Sequence, residues 1–275
     1  MEKYSVLMSL YIKEKPEYLR QAIESMLDQT AAPDEIVIVK DGPITEELSQ
    51  VLESFREKYP EVFNITGYAE NKGLGPALNF GLLHCRNELV ARMDTDDISR
   101  PERCGQQLKF FAAHPETDIV SGDIAEFIDS PEETVGYRKL PCIHAEIAEY
   151  MKRRCALNHV AVMFKKNAVL AAGNYQEWFW NEDYYLWIRM LEHGCHFGNT
   201  GTVLVDVRTG ADMYSRRGGR KYFDSEIGIQ KYMLKKHIIG IPTFTMNCTK
   251  RLIVQVLLPN SVRGWVLRTF ARKKQ

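Results

Sequence analysis

The chain lacks the features of a secreted or membrane-spanning protein. Its 275 residues include six cysteines but no C-x-x-C pair, and no run of about 18 apolar residues occurs. The first residues do not show the charged and then apolar order of a signal peptide. We therefore expect free thiols, a cytoplasmic location and no membrane-spanning helix.

The chain also lacks net charge, since 36 basic residues balance 36 acidic ones. This balance gives no general attraction to nucleic acid, and we expect no nucleic-acid partner. The charge is unevenly distributed, however, because no acidic residue follows Asn247 whereas basic residues continue to Lys274. The end of the chain is therefore expected to behave as a separate basic segment.

No internal repeat or low-complexity linker interrupts the chain, and 45% of its residues are hydrophobic, enough for a full core. In the first half, short apolar runs alternate with segments of helical periodicity. The runs are YSVLMSLY, EIVIVK, FNITGY and ELVARM, at residues 4–11, 35–40, 63–68 and 88–93. This alternation predicts an α/β fold whose mainly parallel sheet has helices on both faces and a ligand crevice beyond its strand ends.

Helix-like and strand-like segments continue through the second half in a less regular order. The helical segments are residues 101–114, 143–154 and 181–194, and the strand-like ones are 118–128 and 159–164. Residues 195–207 resemble a pair of strands. The composition becomes basic near residue 208, where we expect the first domain to end.

Three carboxylates, at Asp94, Asp96 and Asp97, directly follow the ELVARM run. Like charges this close repel one another, so a positive partner is expected among them. Mg²⁺ and Mn²⁺ take carboxylate oxygens together with the phosphate oxygens of a substrate, so the pattern favours a metal diphosphate. The residues alone also allow a solvated turn in which Asp97 or Ser99 caps the helix beginning at Pro101.

Six segments in sequence order resemble glycosyltransferase family 2, the inverting enzymes of GT-A fold. They are S-x-Y (Ser9–Tyr11), L-x-x-A-I-x-S-x-L-x-Q-T (Leu19–Thr30), E-I-V-I-V-x-D-G (Glu35–Gly42), N-x-G-L-x-x-A-L-N-x-G-L (Asn71–Leu82), M-D-x-D-D (Met93–Asp97) and N-E-D-Y-x-L-W-x-R (Asn181–Arg189). The resemblance covers about residues 4–210. Six linked segments are far more specific than any one of them.

The resemblance implies a GT-A domain over residues 1–210, with a Rossmann-like sheet, and a basic helical C-terminal extension over residues 211–275. Within the domain, the nucleotide-sugar half would cover about residues 1–100 and the acceptor half about residues 101–210.

The resemblance also implies a nucleotide-sugar donor at the strand ends. The residues that would bind it are Tyr11, Asp41, Asn71, Lys72, Gly73, Asn79, Asp94, Thr95 and Asp96. Asp41 would bond the base, Asp94 would reach the ribose, and Asp96 would hold Mn²⁺ or Mg²⁺ between the phosphates. The family commonly has a histidine after its last core strand. This chain has Arg208 and Thr209 there, and the arginines expected to contact the diphosphate instead are Arg216, Arg217 or Arg220.

Inverting transfer needs a base that accepts the proton of the acceptor hydroxyl. By resemblance this base is Asp183, while Glu182, His159 and Trp180 would shape the acceptor site. The residues alone also allow structural roles. The two acids would favour the dipole of the helix that they begin, His159 would be a core histidine, and Trp180 would belong to a packed aromatic cluster.

Apolar residues alternate with arginine and lysine in the basic tail after Asn247. This pattern suits a helix lying on an anionic membrane. It equally suits a helix packed on the domain with its charges in water.

Together these observations predict an inverting, metal-dependent glycosyltransferase that moves a hexose, expected to come from a UDP-hexose, to a hydroxyl of a glycan acceptor. We expect a lipid-linked acceptor, cell-surface polysaccharide assembly and peripheral contact with the inner face of the cell membrane. One alternative is a metal-dependent phosphatase with Asp94 as its nucleophile, although Ile98 stands where D-x-D-x-T/V has Thr or Val. The other is a non-catalytic nucleotide-sugar-binding protein, indifferent to change at Asp183.

Overall fold

The computed structural model describes residues 2–210 and 219–258. Its strands, β1 to β9 in chain order, are Tyr4–Leu10, Glu35–Asp41, Phe63–Tyr68, Leu89–Met93, Ile98–Ser99, Thr117–Phe127, Thr134–Arg138, Met163–Lys165 and His196–Arg208. Its α-helices, α1 to α9, are Pro16–Leu27, Glu46–Lys58, Leu74–His84, Arg103–Ala113, His144–Met151, Lys166–Ala171, Glu182–Glu192, Arg220–Lys235 and Ile241–Arg251. A 3₁₀ turn at His159–Ala161 and a π-helix at Leu252–Leu257 complete the described elements.

The strands form one mixed sheet in the order β3-β2-β1-β4-β8-β6-β9-β5, with β7 beside β6. The strands β1 to β4 pair in parallel, as do β6 and β9, while β8 runs antiparallel between β4 and β6. The central strands β1, β2 and β4 are buried along almost their whole length, as expected when helices cover both faces of a parallel sheet. The predicted α/β fold with a mainly parallel sheet is confirmed.

Helices cover the two faces of the sheet and create two apolar cores. Alternate residues of β1 point to opposite faces, so Val6 and Met8 belong to one core and Leu7 to the other. The helices α1, α2 and α4 pack on the first core, whereas α3, α5, α7 and α8 pack on the second. The fully buried Trp187 anchors α7 in the second core.

The carboxyl ends of β1, β2 and β4 meet at one edge of the sheet because these strands are parallel neighbours. Tyr11 follows β1, Asp41 is the last residue of β2, and Asp94 follows β4. The helix α7 begins at the same edge, since its first residue, Glu182, lines a cavity together with Asp94. The fold thereby gathers side chains that are far apart in the sequence.

Two local predictions are wrong. The strand predicted at residues 159–164 is a 3₁₀ turn followed by the short β8, because Ala161 N–H bonds back to Asn158 O at 2.8 Å. The strand pair predicted at residues 195–207 is the single strand β9, whose register against β6 shifts near Gly201. Gly201 has a φ of 72°, which lets the strand bulge and continue in its original direction.

The C-terminal extension is helical over its described residues 219–258. Its first helix, α8, packs on the domain through the buried Ile229 and Met233. Among the described helices, none combines the length and hydrophobicity that a membrane crossing requires. Arg216, Arg217 and the tail beyond residue 258 lie outside the described residues.

A buried cation lies in the middle of the sheet. Arg92, on the otherwise apolar β4, is 2% exposed, and its guanidinium makes two hydrogen bonds to the Asp94 carboxylate, one of them from Nη1 to Oδ2 at 2.6 Å. Although burial alone would lower the pKa of Arg92, the Asp94 charge raises it. This bidentate pair fixes the direction in which the chain leaves β4.

Arg92→Met should leave the partly buried Asp94 carboxylate without its cation and lower the free energy of unfolding by about 2–4 kcal/mol, measured by urea denaturation at neutral pH. Asp94→Asn in the same chain should recover at least about 1 kcal/mol of that loss. Arg56→Met, which removes an exposed pair with Glu53, is the control and should cost less than about 1 kcal/mol. Strictly additive losses for the double variant would show that the pair is not energetically coupled.

Candidate functional site

A cavity of about 590 Å³ opens at the carboxyl edge of β1, β2 and β4. This volume is in the range of small-molecule sites in proteins. Most of the predicted site residues line it, namely Tyr11, Asp41, Asn71, Lys72, Gly73, Asp94, Thr95, Asp96, Trp180 and Glu182. Asn79, His159 and Asp183 are not among its lining residues.

Asp41 organises one wall of the cavity. Its Oδ1 accepts hydrogen bonds from Tyr68 Oη at 2.9 Å and Lys72 N at 2.7 Å. Its Oδ2 accepts from Asn71 Nδ2 at 2.8 Å and Gly73 N at 2.9 Å. The buried carboxylate therefore holds the loop at residues 71–73 in one shape. A bond from Asp41 to a nucleobase, as predicted, would share or replace one of these four.

Gly42 makes this arrangement possible. Its φ is 83°, and a Cβ at this position would lie 2.6 Å from the backbone nitrogen of Asn71. A side chain here would be strained by the backbone conformation and would collide with the loop. The glycine of the E-I-V-I-V-x-D-G segment thus allows the loop to approach Asp41.

The carboxylates after β4 form a compact acidic cluster. Asp94, Asp96 and Asp97 each offer an oxygen within 4.8 Å of the others. Burial, followed by the charges of Asp94 and Glu14, raises the pKa of Asp96 to about 7. Burial and the neighbouring carboxylates also raise the pKa of Asp97 well above its usual value. The charge of Arg92 therefore does not balance the cluster, and the oxygen donors fit a hard divalent cation.

The helix-cap alternative for this segment is wrong. The helix α4 begins at Arg103, and its cap residue, Glu102, makes no side-chain capping bond. Asp97 Oδ1 instead accepts a hydrogen bond from Arg208 N at 2.8 Å, and Ser99 Oγ accepts one from Gln29 Nε2 at 3.1 Å. Both side chains join the segment after β4 to other parts of the domain.

Arg208 lies where the resemblance leads one to expect a histidine. Its Nε donates to the backbone oxygen of Asp96 at 3.2 Å, and its guanidinium stacks 3.8 Å from the centre of the Tyr18 ring. A guanidinium has no lone pair for a metal, so Arg208 cannot replace a histidine ligand. It braces the backbone that carries Asp96. Arg220, the described arginine expected at the diphosphate, pairs with Asp224.

Two acids at the start of α7 face different surroundings. Glu182 lines the cavity, and burial together with the charge of Asp183 raises its pKa to about 7. Burial also raises the pKa of Asp183, although a hydrogen bond from Tyr184 N at 2.6 Å and the charge of Arg138 oppose the rise. Both acids are therefore less readily ionised than a carboxyl in water.

His159 is a packed histidine in this structure. Its Nε2 lies 2.9 Å from Tyr175 Oη, and its ring packs edge-on to Trp187 with centroids 5.9 Å apart. Burial, followed by the charge of Arg92, lowers its pKa well below the usual value of 6.5. The imidazole is thus neutral and has a protein partner.

Asn79 and Trp180 line different cavities. Asn79 Nδ2 donates to Tyr175 O at 2.6 Å and lines a smaller cavity of about 300 Å³ that shares Lys72 with the main one. Trp180, which is 51% exposed, stacks on Phe179 with ring centroids 4.6 Å apart. Trp180 therefore presents an aromatic surface at the cavity rim.

Sequence reasoning missed Arg92 and Glu14. The signal for Arg92 was visible, because a charged residue interrupts the apolar LVARM strand directly before the carboxylates. Glu14 lies in the loop after β1, lines the cavity, and accepts a hydrogen bond from Thr95 Oγ1 at 2.7 Å. No sequence pattern distinguishes it from the other charged residues of that loop.

Two bacterial glycosyltransferases are similar to this protein over most of the chain. The UDP-Gal:alpha-D-GlcNAc-diphosphoundecaprenol beta-1,3-galactosyltransferase of Escherichia coli is 39% identical over 98% of this chain and 97% of its own length. The amylovoran biosynthesis glycosyltransferase AmsE of Erwinia amylovora is 42% identical over 84% of this chain and 85% of its own length.

Solved structures share the fold. S. aureus TarS in complex with UDP-GlcNAc superposes with a TM-score of 0.71 at 15% identity, covering 97% of this chain and 79% of that one. The mannosyltransferase PcManGT from Pyrobaculum calidifontis, in complex with GDP-Man and Mn²⁺, gives a TM-score of 0.63 at 15% identity over 99% and 76% of the two chains. The predicted GT-A architecture is thereby confirmed.

The motifs at the strand ends, the cavity that they line and these relatives all indicate the same protein family. The family model for glycosyl transferase family 2 matches residues 5–188, which is most of the chain. The chain belongs to glycosyl transferase family 2.

Proposed function

We propose that the protein is an inverting, metal-dependent glycosyltransferase that moves a hexose from a UDP-sugar to a hydroxyl of a lipid-linked glycan at the inner face of the cell membrane. One observation carries the proposal: Asp94 and Asp96 of the acidic cluster line the same cavity as Glu182, the first residue of α7. The observation supports a cation site for a diphosphate next to a carboxyl group that could act on the acceptor. The galactosyltransferase relative, whose name gives a UDP-sugar donor and a lipid diphosphate acceptor, supports the substrate classes.

The donor would lie along the wall formed by Tyr11, Asp41 and the loop at residues 71–73. Asp96 would hold Mn²⁺ or Mg²⁺, with Asp94 and Asp97 close enough to contribute. When bound, such a cation stabilises the negative charge that develops on the departing diphosphate. The complexes of TarS with UDP-GlcNAc and of PcManGT with GDP-Man and Mn²⁺ support a nucleotide-sugar donor and a divalent cation.

The acceptor would enter beside Trp180 and meet the acids of α7. We propose that Asp183 accepts its hydroxyl proton and that Glu182 orients the hydroxyl. Glu182 is the competing base, because it lines the cavity whereas Asp183 bonds Tyr184 N. A base must reach hydrogen-bond distance of its proton, and such contacts commonly tighten only when substrate binds. Mutation at both positions therefore decides between them.

Donor binding is the first prediction to test. A matching nucleotide sugar with Mn²⁺, at about a hundred times its Kd, should raise the melting temperature by about 5 °C, since binding at that excess stabilises by roughly 2.7 kcal/mol. Thermal-shift assays would compare UDP-, GDP- and dTDP-sugars with and without Mn²⁺. Asp96→Ala should abolish the metal-dependent shift. Asp28→Ala, which changes an exposed carboxyl at the far end of α1, should keep it.

An Asp96→Ala protein that still shows the full Mn²⁺-dependent shift would contradict the metal role of Asp96. Stabilisation by a GDP- or dTDP-sugar alone would replace the UDP part of the proposal. Release of phosphate from simple esters by wild type, without any acceptor, would favour the phosphatase alternative.

Asp183→Asn should lower the rate of sugar transfer by at least about a hundredfold while leaving the donor thermal shift unchanged, because it removes only the proton acceptor. The assay measures release of UDP in the presence of acceptor. Glu182→Gln is the matched control and should cost less. A larger loss in Glu182→Gln would reassign the base to Glu182. Loss of donor binding in Asp183→Asn would indicate a structural role.

Glu182 also predicts a pH-dependent stability. The pKa of its carboxyl is about 7 in the folded protein against an ordinary 4.5, so the unfolded chain releases this proton more readily. The contribution of Glu182 to the free energy of unfolding therefore falls as the pH rises from 4.5 to about 7, and it is constant above that range. Glu182→Gln should be more stable than wild type by on the order of 1–3 kcal/mol at pH 8 and equal to it at pH 4.

Urea denaturation of both proteins at several pH values measures this difference. Glu177→Gln removes an exposed carboxyl from the same cavity wall and controls for the loss of one negative charge. A gain in Glu182→Gln that does not change with pH would contradict the raised pKa.

A further inference from the structure

In the last described helices, polar side chains face the protein and large apolar side chains face outward, which is the reverse of the usual arrangement. On α9 and the π-helix, three polar residues spaced four apart, Asn247, Arg251 and Gln255, face the protein, and Phe244 at the start of this face packs on the second core. Asn247 is 3% exposed, and its Nδ2 donates to Lys152 O at 2.9 Å and to Gln230 Oε1 at 2.8 Å. From Asn247 onward the inward face is therefore polar and held by directional bonds.

The next turns continue this polar contact. Arg251 Nε donates to a carboxylate oxygen of Glu226, a half-buried residue of α8, and Arg251 Nη2 donates to Arg153 O at 2.8 Å. Gln255 Nε2 donates to the same Glu226 carboxylate at 3.0 Å. These bonds fix which side of the segment faces outward.

The outward face is apolar. Ile253 is 45% exposed and Leu257 is 65% exposed. The large apolar side chains exposed on this segment, called the apolar face below, are Ile241, Met246, Leu252, Ile253, Val256 and Leu257. A helix on a water-exposed surface normally has the opposite arrangement, with its apolar stripe inward. A run of exposed apolar side chains on one element marks an interaction surface.

The charges around the apolar face indicate its partner. Lys250 is exposed beside it, and in the sequence after Asn247 every charged residue is basic. A partner must therefore be apolar in its interior and negative at its surface. An anionic lipid bilayer has both properties, and interfacial helices with apolar and cationic side chains bind it.

The apolar face is one helix away from the cavity rim. Gly219 N, just before α8, donates to Gln255 O at 2.9 Å. Further along α8, Ser225 O accepts a hydrogen bond from Trp178 Nε1 at 3.0 Å, and the Tyr222 ring lies 6.2 Å from that of Trp180. The helix α8 thus contacts both the apolar segment and the aromatic wall of the cavity.

We infer that α9 and Leu252–Leu257 dock the protein on anionic membranes and thereby hold the mouth of the cavity at the bilayer surface. The inference of docking is based on the outward apolar face and on the basic charge beside it. The consequence of this docking, that a lipid-linked acceptor is presented to Trp180, rests on the proposed function.

The test uses the full chain and vesicles of phosphatidylcholine containing 30% phosphatidylglycerol, with pure phosphatidylcholine vesicles for comparison. Wild type should sediment with the anionic vesicles, and added salt should weaken the binding. Ile253→Glu combined with Leu257→Glu should lower the partition coefficient at least tenfold. The matched control, Ile128→Glu with Val135→Glu, changes two exposed apolar residues elsewhere and should bind like wild type.

Equal binding by the Ile253/Leu257 variant, or no binding by wild type, would overturn the docking surface. A dimer in light scattering that this variant alone breaks, without any effect on vesicle binding, would assign the face to a second copy and overturn it as well. The melting temperature of the variant should equal that of wild type, because both side chains are exposed. If it falls, Leu257→Gln alone, which keeps Ile253 and adds no charge, should still lower binding to the vesicles with 30% phosphatidylglycerol.

Assays of transferase activity with two acceptors test the docking surface and the proposed function separately. With a sugar diphosphate on a short, water-soluble alkyl chain, the Ile253/Leu257 variant should match wild type. With the same acceptor on a long chain embedded in vesicles, it should be at least tenfold slower. Vesicle binding by a wild type that is inactive on both acceptors would overturn the proposed function and leave the docking surface standing.

Discussion

The arrangement of the cavity depends on one buried cation, Arg92. Its guanidinium binds Asp94 through both terminal nitrogens at the centre of the sheet. Burial raises the pKa of four nearby acids, and the positive charge of Arg92 opposes this rise in each of them, namely Asp96, Asp97, Glu182 and Asp183. A single cation cannot neutralise all of them. The carboxylates after β4 and those at the start of α7 therefore share a counter-ion, and the remaining negative charge favours a further cation.

The sequence was sufficient to predict the features that depend on local pattern. The β-branched run ending at Asp41 and the apolar run before Asp94 both form buried parallel strands, and their ends meet at the predicted edge of the sheet. The reason is that strand alternation with helices restricts the topology, and parallel neighbours bring their carboxyl ends together. Placing the cavity at these residues needed no knowledge of side-chain contacts.

The sequence was not sufficient where tertiary contacts decide. The positive partner of the carboxylates was sought in a ligand, yet part of it is Arg92, two residues before Asp94. Asp41 was predicted to face a base, but Tyr68 and the loop at residues 71–73 surround its carboxylate. Arg92 precedes Asp94 on the same strand, whereas Tyr68 lies on β3 and residues 71–73 lie on a loop. Hydrophobic periodicity does not predict contacts between such side chains. The roles assigned to the site residues stay predictions.

The helix α8, although it belongs to the basic last part of the chain, is tightly connected to the segment that precedes α7. Ser225 Oγ donates to Phe179 O at 2.6 Å and accepts from Asn181 Nδ2 at 3.1 Å, so α8 supports the segment that leads into Glu182. The same helix binds Arg251 through Glu226. The helix α8 therefore links α9 and the π-helix to the aromatic residues at the cavity rim. Tyr222, whose ring lies 6.2 Å from that of Trp180, donates a hydrogen bond to Glu226 at 3.5 Å, one turn further along α8. The proposed docking surface and the proposed acceptor site are therefore connected through the same face of this helix.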